Sequence, residues 1–204
     1  MSAPFRLLLL SAPTAQLDEP RLLAELLAQD LGRLHLRKPG WPAAQLEALI
    51  QALPPQSYPR VVLHGYPHLV RQYQLGGLHL TASQRAAARR RPALLPGQTL
   101  STSFHSLAEI TRARRRYDYV FLSPIFDSLS KAGYASKFDL GELRHFFWTQ
   151  AARPGYHPPV LALGGVEAQT ISLVRQAGFA GAAVLGAVWQ SPDPVAAFRA
   201  LHGS

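Results

Sequence analysis

Cysteine is absent from this chain of 204 residues. Without thiols the protein has no disulfides, no thiolate metal sites and no cysteine nucleophile. The absence also agrees with a reducing compartment. Any nucleophile or metal ligand must therefore come from another residue type.

Long apolar runs are also lacking. None approaches the roughly 18 to 20 residues that a membrane span needs. The segment from Met1 to Leu10 has too short an apolar block for a signal peptide. We therefore expect a cytoplasmic protein that has no membrane partner.

Acidic residues are scarce, at 12 against 21 lysines and arginines, which gives a formal net charge of +9. The arginines concentrate in two blocks, residues 85–91 and 112–116, each at the end of a predicted helix. Cations stabilise helix C-termini, and no aromatic residue interleaves with either block as base stacking requires. Two solvated helix ends are therefore the preferred interpretation, and a nucleic-acid surface is the alternative.

Hydrophobic residues make up 48% of the chain, which is enough for one packed domain over residues 1–204. Eight short β-type runs alternate with helical stretches. This alternation favours a single (β/α)8 (TIM) barrel of the α/β class over a doubly wound sheet. The predicted strands are Phe5–Leu10, Arg33–Arg37, Arg60–His64, Gly77–Leu80, Thr99–Thr102, Tyr117–Leu122, Val160–Leu163 and Gly181–Leu185.

Helix signals lie between these strands. Asp18 is a predicted cap with Pro20 in the first turn, and leucines then recur at helical spacing. Ser106-Leu-Ala-Glu109 predicts a capping box at the start of another helix. Two more helices are predicted at Leu140–Trp148 and Pro192–Leu201.

Polar side chains recur where the predicted strands end, and in a parallel barrel the carboxyl ends of the strands carry the chemistry. His35 and Arg37 lie two residues apart on one face of strand two. An arginine facing the barrel interior without a partner is unfavourable, so we expect an anionic ligand there. The other candidates for the pocket are His64, His79, Ser103 and His105.

Two junctions between strand and loop suit a phosphorylated ligand. After strand six, Ser128, Ser130 and Lys131 offer hydroxyl donors and one ammonium to an oxyanion. After strand seven, the glycine pair at 164–165 lets backbone N–H groups approach a ligand closely. A helix expected to begin near Val166 would point its N-terminus at a phosphate.

The histidines also have structural interpretations. His79, on a short buried strand, is typical of a hydrogen-bonded core histidine, and His105 of a residue at the start of the next helix. His64 lies at a strand end beside Gly65, where a core role and a ligand role both fit. Histidines on adjacent strand ends would also suit a transition metal, but no carboxylate accompanies them, and we predict no protein metal ligands.

These residues, in this order, resemble the thiamine phosphate synthase and TenI family of small (β/α)8 barrels over nearly the whole chain. The motifs that carry the resemblance are Leu34–Lys38, Gly77–Leu80, Ser103–Ser106, Tyr119–Phe126 with Ser128, Ser130 and Lys131, Leu161–Val166 and Ala183–Ala187. Each motif is a modest signal, and six in register are specific.

The resemblance implies a transferase of thiamine biosynthesis that joins an aminopyrimidine methyl diphosphate to a thiazole phosphate. The partners would then be small phosphorylated heterocycles, and a homodimer is compatible with this interpretation. The residues implied to hold the diphosphate are Ser128, Ser130 and Lys131. Those implied to hold the thiazole phosphate are Gly164, Gly165 and Gly186. The predicted catalytic residues are Lys131, Arg37 and His35.

The chain departs from the synthase pattern at its acids. That pattern has an Asn-Asp pair after strand three and another acid after strand four, which bind the magnesium that neutralises diphosphate. Here these segments are His64-Gly65 and Thr81–Gln84, without a carboxylate, so Mg²⁺ would depend on the substrate diphosphate. The strand-two lysine of the synthase pattern falls near Pro39, with Lys38 one position off. The histidine of the TenI tautomerase falls at Pro124. A TenI-like tautomerase and a non-catalytic phosphate-binding barrel are the alternative functions.

Overall fold

A computed structural model of the protein describes residues 4–29, 31–127 and 138–202. Eight strands, all parallel to their paired neighbours, follow one another in chain order in a closed barrel. The strands are β1 (Arg6–Leu10), β2 (Arg33–Leu36), β3 (Val61–His64), β4 (Gly77–Leu80), β5 (Thr99–Phe104), β6 (Tyr119–Leu122), β7 (Val160–Leu163) and β8 (Gly181–Val184). The predicted α/β barrel class is confirmed, and each predicted strand overlaps an observed one.

Helices follow the strands, as this fold requires. They are α1 (Glu19–Ala28), α2 (Ala43–Gln51), α3 (Pro67–Gln72), α4 (Ala82–Ala87), α5 (Leu107–Arg112), α6 (Leu140–Ala152), α7 (Ile171–Ala177), α8 (Gly186–Trp189) and α9 (Pro194–His202), with a 3₁₀ turn at Pro55–Arg60. Among the described residues, no helix combines the length and the apolarity that crossing a membrane requires.

The chain divides into two compact units. The first unit is Leu8–Thr102, and the second is Met1–Leu7 with Ser103–Ser204. The prediction of one domain over residues 1–204 stays a prediction.

The first unit packs its helices through leucines at helical spacing. Leu23, Leu26 and Leu27 of α1 are almost wholly buried, as the periodicity predicts. Asp18 precedes α1 in a left-handed conformation (φ 53°), and its side chain makes no capping hydrogen bond. The predicted cap by Asp18 is therefore wrong, although α1 begins at the next residue with Pro20 in its first turn.

The second unit contains β6, β7 and β8, paired in register through Val120 with Val160 and Leu161 with Gly181. Ser106 caps α5, because its hydroxyl accepts the N–H of Glu109 at 3.2 Å. The Glu109 carboxylate accepts the N–H of His105 at 2.7 Å. The predicted cap at Ser106 is confirmed, and the glutamate reaches one residue further back than a capping box requires.

Candidate functional site

Three histidines on neighbouring strands meet in the first unit. His35 lies on β2, His64 ends β3 and His79 lies on β4, and His64 is aligned with His79 in the β3–β4 register. Nδ1 of His35 lies 3.0 Å from Nε2 of His64, so the two rings share a hydrogen bond. The rings of His64 and His79 stack with centroids 4.0 Å apart and planes 18° apart. We call these three residues the histidine cluster.

Burial governs the protonation of the cluster. His35 and His79 are 0% and 3% exposed, and His64 is partly exposed. Burial lowers the pKa of His79 to about 3, with the nearby charges of Arg37 and Arg85 adding to the effect. Burial also lowers the pKa of His35 and of His64 well below the ordinary value. All three imidazoles are therefore neutral near pH 7.

His79 is held in place by a residue that sequence reasoning missed. Its Nδ1 lies 2.9 Å from Oγ of Ser101 on β5, and Ser101 is fully buried. The two residues are aligned in the β4–β5 register. His79 is therefore buried and hydrogen-bonded, and its place in a ligand pocket stays a prediction. Ser101 was identifiable only by its position two residues before Ser103, which puts both on one face of β5.

Arg37 directly follows β2, and its backbone is hydrogen-bonded on both sides to the Ser11 hydroxyl. Its N–H donates to Oγ of Ser11 at 2.9 Å, and the Ser11 hydroxyl donates to the Arg37 carbonyl at 3.1 Å. Within the described parts of the chain its guanidinium has neither a hydrogen bond nor an ion pair, and the side chain is half-buried. An unpaired, partly desolvated guanidinium is suited to an anion.

Lys38, the next residue, has the opposite environment. Its Nζ donates to Oε2 of Glu19 at 2.7 Å and to the Thr14 carbonyl at 2.8 Å. It also lies 5.0 Å above the ring of Trp41, and Lys38 and Glu19 are both buried. Lys38 is therefore neutralised inside the fold by Glu19.

The first unit does not suit magnesium. Its described carboxylates lie beside or on α1 and α2, at Asp18, Glu19, Glu25 and Glu47. The segment after β4 is occupied by a capping box instead: Oγ1 of Thr81 accepts the N–H of Gln84 at 3.3 Å, and Oε1 of Gln84 accepts the N–H of Thr81 at 3.2 Å. Mg²⁺ prefers oxygen ligands in octahedral geometry, and the ends of β3 and β4 offer imidazole and hydroxyl groups.

Ser103 and His105 lie in the second unit. Ser103 is half-buried on β5, and Nδ1 of the exposed His105 lies 2.9 Å from the carbonyl oxygen of Ser123. His105 directly precedes the Ser106 cap of α5. The structural interpretation of His105 as a residue at a helix start is confirmed.

Gly164 and Gly165 lie in close contact with the loop that follows β6. Their φ angles are +94° and +64°, and a Cβ on Gly165 would lie 2.6 Å from Cβ of Phe126 and 2.7 Å from the carbonyl oxygen of Asp127. The N–H groups of Ile125 and Phe126 donate to the carbonyls of Leu163 and Gly164, each at 3.1 Å. The absence of a side chain at Gly165 therefore leaves room for this loop.

The helix expected near Val166 begins five residues later, at Ile171. A turn intervenes, in which Oγ1 of Thr170 accepts the N–H of Glu167 at 3.0 Å. The prediction of a helix N-terminus directly after Gly165 is therefore wrong. Gly186 does open a helix, α8, which has only four residues. Phosphate binding by the three glycines stays a prediction.

Ser128, Ser130 and Lys131 lie outside the described residues, so their expected grip on a diphosphate stays a prediction. The roles of His35 and Arg37 in catalysis stay predictions too. What the structure does bring together is the histidine cluster, with the charge of Arg37 acting on two of its members.

Comparison with known proteins matches residues 8–188 to the family described as thiamine monophosphate synthase. A thiamine-phosphate synthase of Desulfitobacterium hafniense is 29% identical over 126 residues, which cover 61% of this chain and 58% of that protein. One of Roseiflexus is 29% identical over 176 residues, covering 83% of this chain and 71% of its own length. The match therefore spans less than two thirds of the Desulfitobacterium relative and a larger share of the Roseiflexus one.

The fold has a similar solved structure. A thiamine phosphate pyrophosphorylase from Bacteroides thetaiotaomicron is 28% identical, with a TM-score of 0.76 over 97% of this chain and 94% of that one. The chain thus resembles proteins of one kind in sequence and in structure.

Proposed function

The chain belongs to the thiamine monophosphate synthase family, and from this we propose that it is a thiamine phosphate synthase. It would join a pyrimidine methyl diphosphate to a thiazole phosphate. The observation that carries the proposal is the family match along most of the chain. Small phosphorylated heterocycles are then its ligands.

Arg37 supports an anionic substrate. Its guanidinium is half-buried and unpaired within the described residues, while the neighbouring Lys38 is neutralised by Glu19. A preorganised cation is most effective where negative charge develops in the reaction. Arg37 is thus a described cation that suits the diphosphate. The family resemblance implies the same role for the hydroxyls of Ser128 and Ser130 and the ammonium of Lys131.

The reaction needs charge stabilisation more than proton transfer. The bond between the pyrimidine methylene carbon and the diphosphate oxygen breaks, and its electron pair leaves with diphosphate. The thiazole nitrogen then donates its lone pair to the resulting cation, so a C–N bond forms and no proton moves. The contribution of this chain is to bind the leaving group and to orient the thiazole, through its phosphate, at Gly164, Gly165 and Gly186.

Magnesium has no acidic ligands at the ends of β3 and β4, as described above. We therefore assign no step to it. Any Mg²⁺ in the reaction would enter on the substrate diphosphate.

The direct test mixes the purified protein with both phosphorylated precursors, with and without Mg²⁺, and measures thiamine phosphate by chromatography. We expect product, and we expect Arg37→Gln to lower kcat by about 10²- to 10³-fold, as loss of a preorganised donor does. Arg21→Gln is the matched control, because Arg21 is exposed and pairs with Glu25 at 2.6 Å.

Absence of product both with and without Mg²⁺ would overturn the synthase proposal. Calorimetric binding of the thiazole phosphate in that case would leave a binding protein. Equal activity of the Arg37→Gln variant and the Arg21→Gln control would remove Arg37 from the mechanism and leave the synthase proposal to stand on product formation.

A further inference from the structure

The histidine cluster offers a donor set that the family match does not explain. One ligand nitrogen each from His35, His64 and His79 can be chosen so that all three lie within 4.8 Å of one another. The three side chains come from three consecutive strands, β2, β3 and β4, within the first unit. We propose that the cluster is a binding site for one divalent transition-metal ion of the zinc type.

The distances are close to those of a coordinated ion. Zinc bonds imidazole nitrogen at about 2.0–2.1 Å, so two ligand nitrogens of a tetrahedral site lie roughly 3.3 Å apart. His35 Nδ1 and His64 Nε2 already lie 3.0 Å apart. The largest distance between two of the three ligand nitrogens, at most 4.8 Å, would shorten by roughly 1.5 Å to reach tetrahedral spacing. The stacked rings of His64 and His79 would open from their 18° angle so that their lone pairs converge.

The second nitrogen of His79 is already oriented. Its Nδ1 is hydrogen-bonded to the buried Ser101 at 2.9 Å. When Nδ1–H donates to Ser101, Nε2 carries the lone pair that a metal requires. A hydrogen bond of this kind fixes ring orientation and tautomer at metal sites. Ser101 is therefore a positioning residue of the proposed site.

The chemistry of the donors selects the ion. Three imidazoles without a carboxylate favour zinc and related late transition metals over Mg²⁺ or Ca²⁺. One of the two nitrogens, Nδ1 of His35 or Nε2 of His64, carries the proton of the hydrogen bond between them. This proton moves to the other nitrogen of the same ring when both atoms bind the ion.

Two nearby arginines repel a bound cation electrostatically. Arg37 acts on His64 and His79, and Arg33 acts on His35. Their charge favours an anionic oxygen as the fourth ligand, which would enter beside the partly exposed His64. Three protein ligands and one open position are the arrangement of catalytic zinc sites.

The experiment uses the full chain stripped of metal with a chelator and titrated with Co²⁺ and then Zn²⁺, without substrate. We expect one Co²⁺ per chain, with the visible bands of tetrahedral cobalt, displaced by Zn²⁺. Because no substrate is present, the result does not depend on the proposed transfer reaction. Circular dichroism of each variant establishes that it is folded.

His64→Asn and His79→Gln each remove one ligand, and we expect them to abolish the cobalt bands and lower Zn²⁺ affinity by more than about 100-fold. Ser101→Ala should keep one ion per chain and lower the affinity by about 10- to 100-fold, the range for loss of a residue that orients a ligand. His68→Asn is the matched control, because His68 is exposed in the same unit, and it should bind as the parent chain does.

Three results would overturn the proposal. One is the absence of tetrahedral cobalt bands in the parent chain at one equivalent of Co²⁺. Another is the persistence of those bands in folded His64→Asn and His79→Gln chains. The last is an equal loss in the His68→Asn control, which would indicate non-specific binding. In each case the cluster would be a hydrogen-bonded feature of the core.

Discussion

At the scale of single residues, neighbouring cations on one strand end have different fates. Arg37 and Lys38 follow β2 directly, yet Lys38 forms a buried pair with Glu19 while the Arg37 guanidinium is unpaired within the described residues. Side chains alternate across an extended segment, so the two point to opposite sides. One cation stabilises the fold and the other is available to a ligand.

The histidine cluster makes stability dependent on pH. His79 has a pKa of about 3 in the folded protein, against about 6.5 in an unfolded chain. Between these values the unfolded state binds a proton that the folded state does not. The free energy of unfolding should therefore be level above about pH 7.5 and fall as pH drops below about 6.5, by roughly 1.4 kcal/mol per pH unit for each such histidine.

Urea unfolding at several pH values between 7.5 and 5, with chelator present, measures this dependence. His79→Gln should reduce the slope by roughly 1.4 kcal/mol per pH unit, and His68→Gln, at an exposed position of the same unit, is the matched control. Because carboxylates titrate in both chains, the difference between variants isolates the histidine. Identical slopes for the parent and His79→Gln would contradict the assignment of His79 as a buried neutral group.

At the scale of elements, the loop after β6 and the glycine pair after β7 form one structural feature. The loop passes so close to Gly165 that any Cβ there would meet Phe126 and the backbone of Asp127. The hydrogen bonds from Ile125 and Phe126 hold the same loop against β7. In the sequence this loop directly precedes residues 128–131, which carry the predicted diphosphate ligands.

Gly165→Ala tests this feature. A residue other than glycine with a positive φ costs about 1–3 kcal/mol, and the clash with Phe126 and Asp127 adds to that cost. We expect a larger loss of unfolding free energy than for Gly97→Ala, where φ is +85° but nothing lies within 4 Å of a new Cβ. Urea unfolding of both variants measures the difference.

Gly97→Ala controls for backbone strain alone, because both glycines have positive φ. If the two substitutions destabilised the protein equally, crowding by the loop would not be the reason for glycine at 165. A separate synthase assay of Gly165→Ala shows whether displacement of the loop also lowers activity.

At the scale of the whole molecule, part of the basic charge behind the net +9 lies in two arginine blocks at or beyond helix ends. The helices α4 and α5 end within the two arginine blocks, at Ala87 and Arg112, as predicted. Part of the second block is engaged within the protein: Arg115 donates to the Tyr117 hydroxyl at 3.3 Å, and Arg116 lies 5.4 Å from the ring centre of Tyr156. A continuous nucleic-acid surface is therefore not the favoured use of this charge.

We expect weak association with duplex DNA, with a dissociation constant above about 10⁻⁴ M near 0.15 M salt, the weak end of non-specific binding. Fluorescence anisotropy of a labelled duplex over a range of salt concentrations measures it. Tighter binding that is lost when Arg89, Arg90 and Arg91 are all replaced by glutamine would contradict this expectation. The control triple variant would replace Arg21, Arg71 and Arg144, which are exposed elsewhere.

Much of the fold was predictable because its signals are local. Strands such as Gly77–Leu80 and Val160–Leu163 are observed with the predicted bounds, since short apolar runs between helical patterns specify them. The start of α7 was not predictable from the Gly164-Gly165 pair. The turn before it depends on hydrogen bonds of Thr170 and on a loop more than thirty residues earlier in the chain.

The sequence by itself determined the barrel and the family, because the order and spacing of the strands and the six motifs are local features of the chain. It also placed His35, His64 and His79 on predicted strands or at their ends. Only the tertiary structure decided that His35, His64 and His79 meet one another and that Ser101 orients His79. It also decided that Glu19 neutralises Lys38. The physical reason is register: alternation tells which face a side chain takes, whereas the alignment of neighbouring strands sets how far along that face it lies.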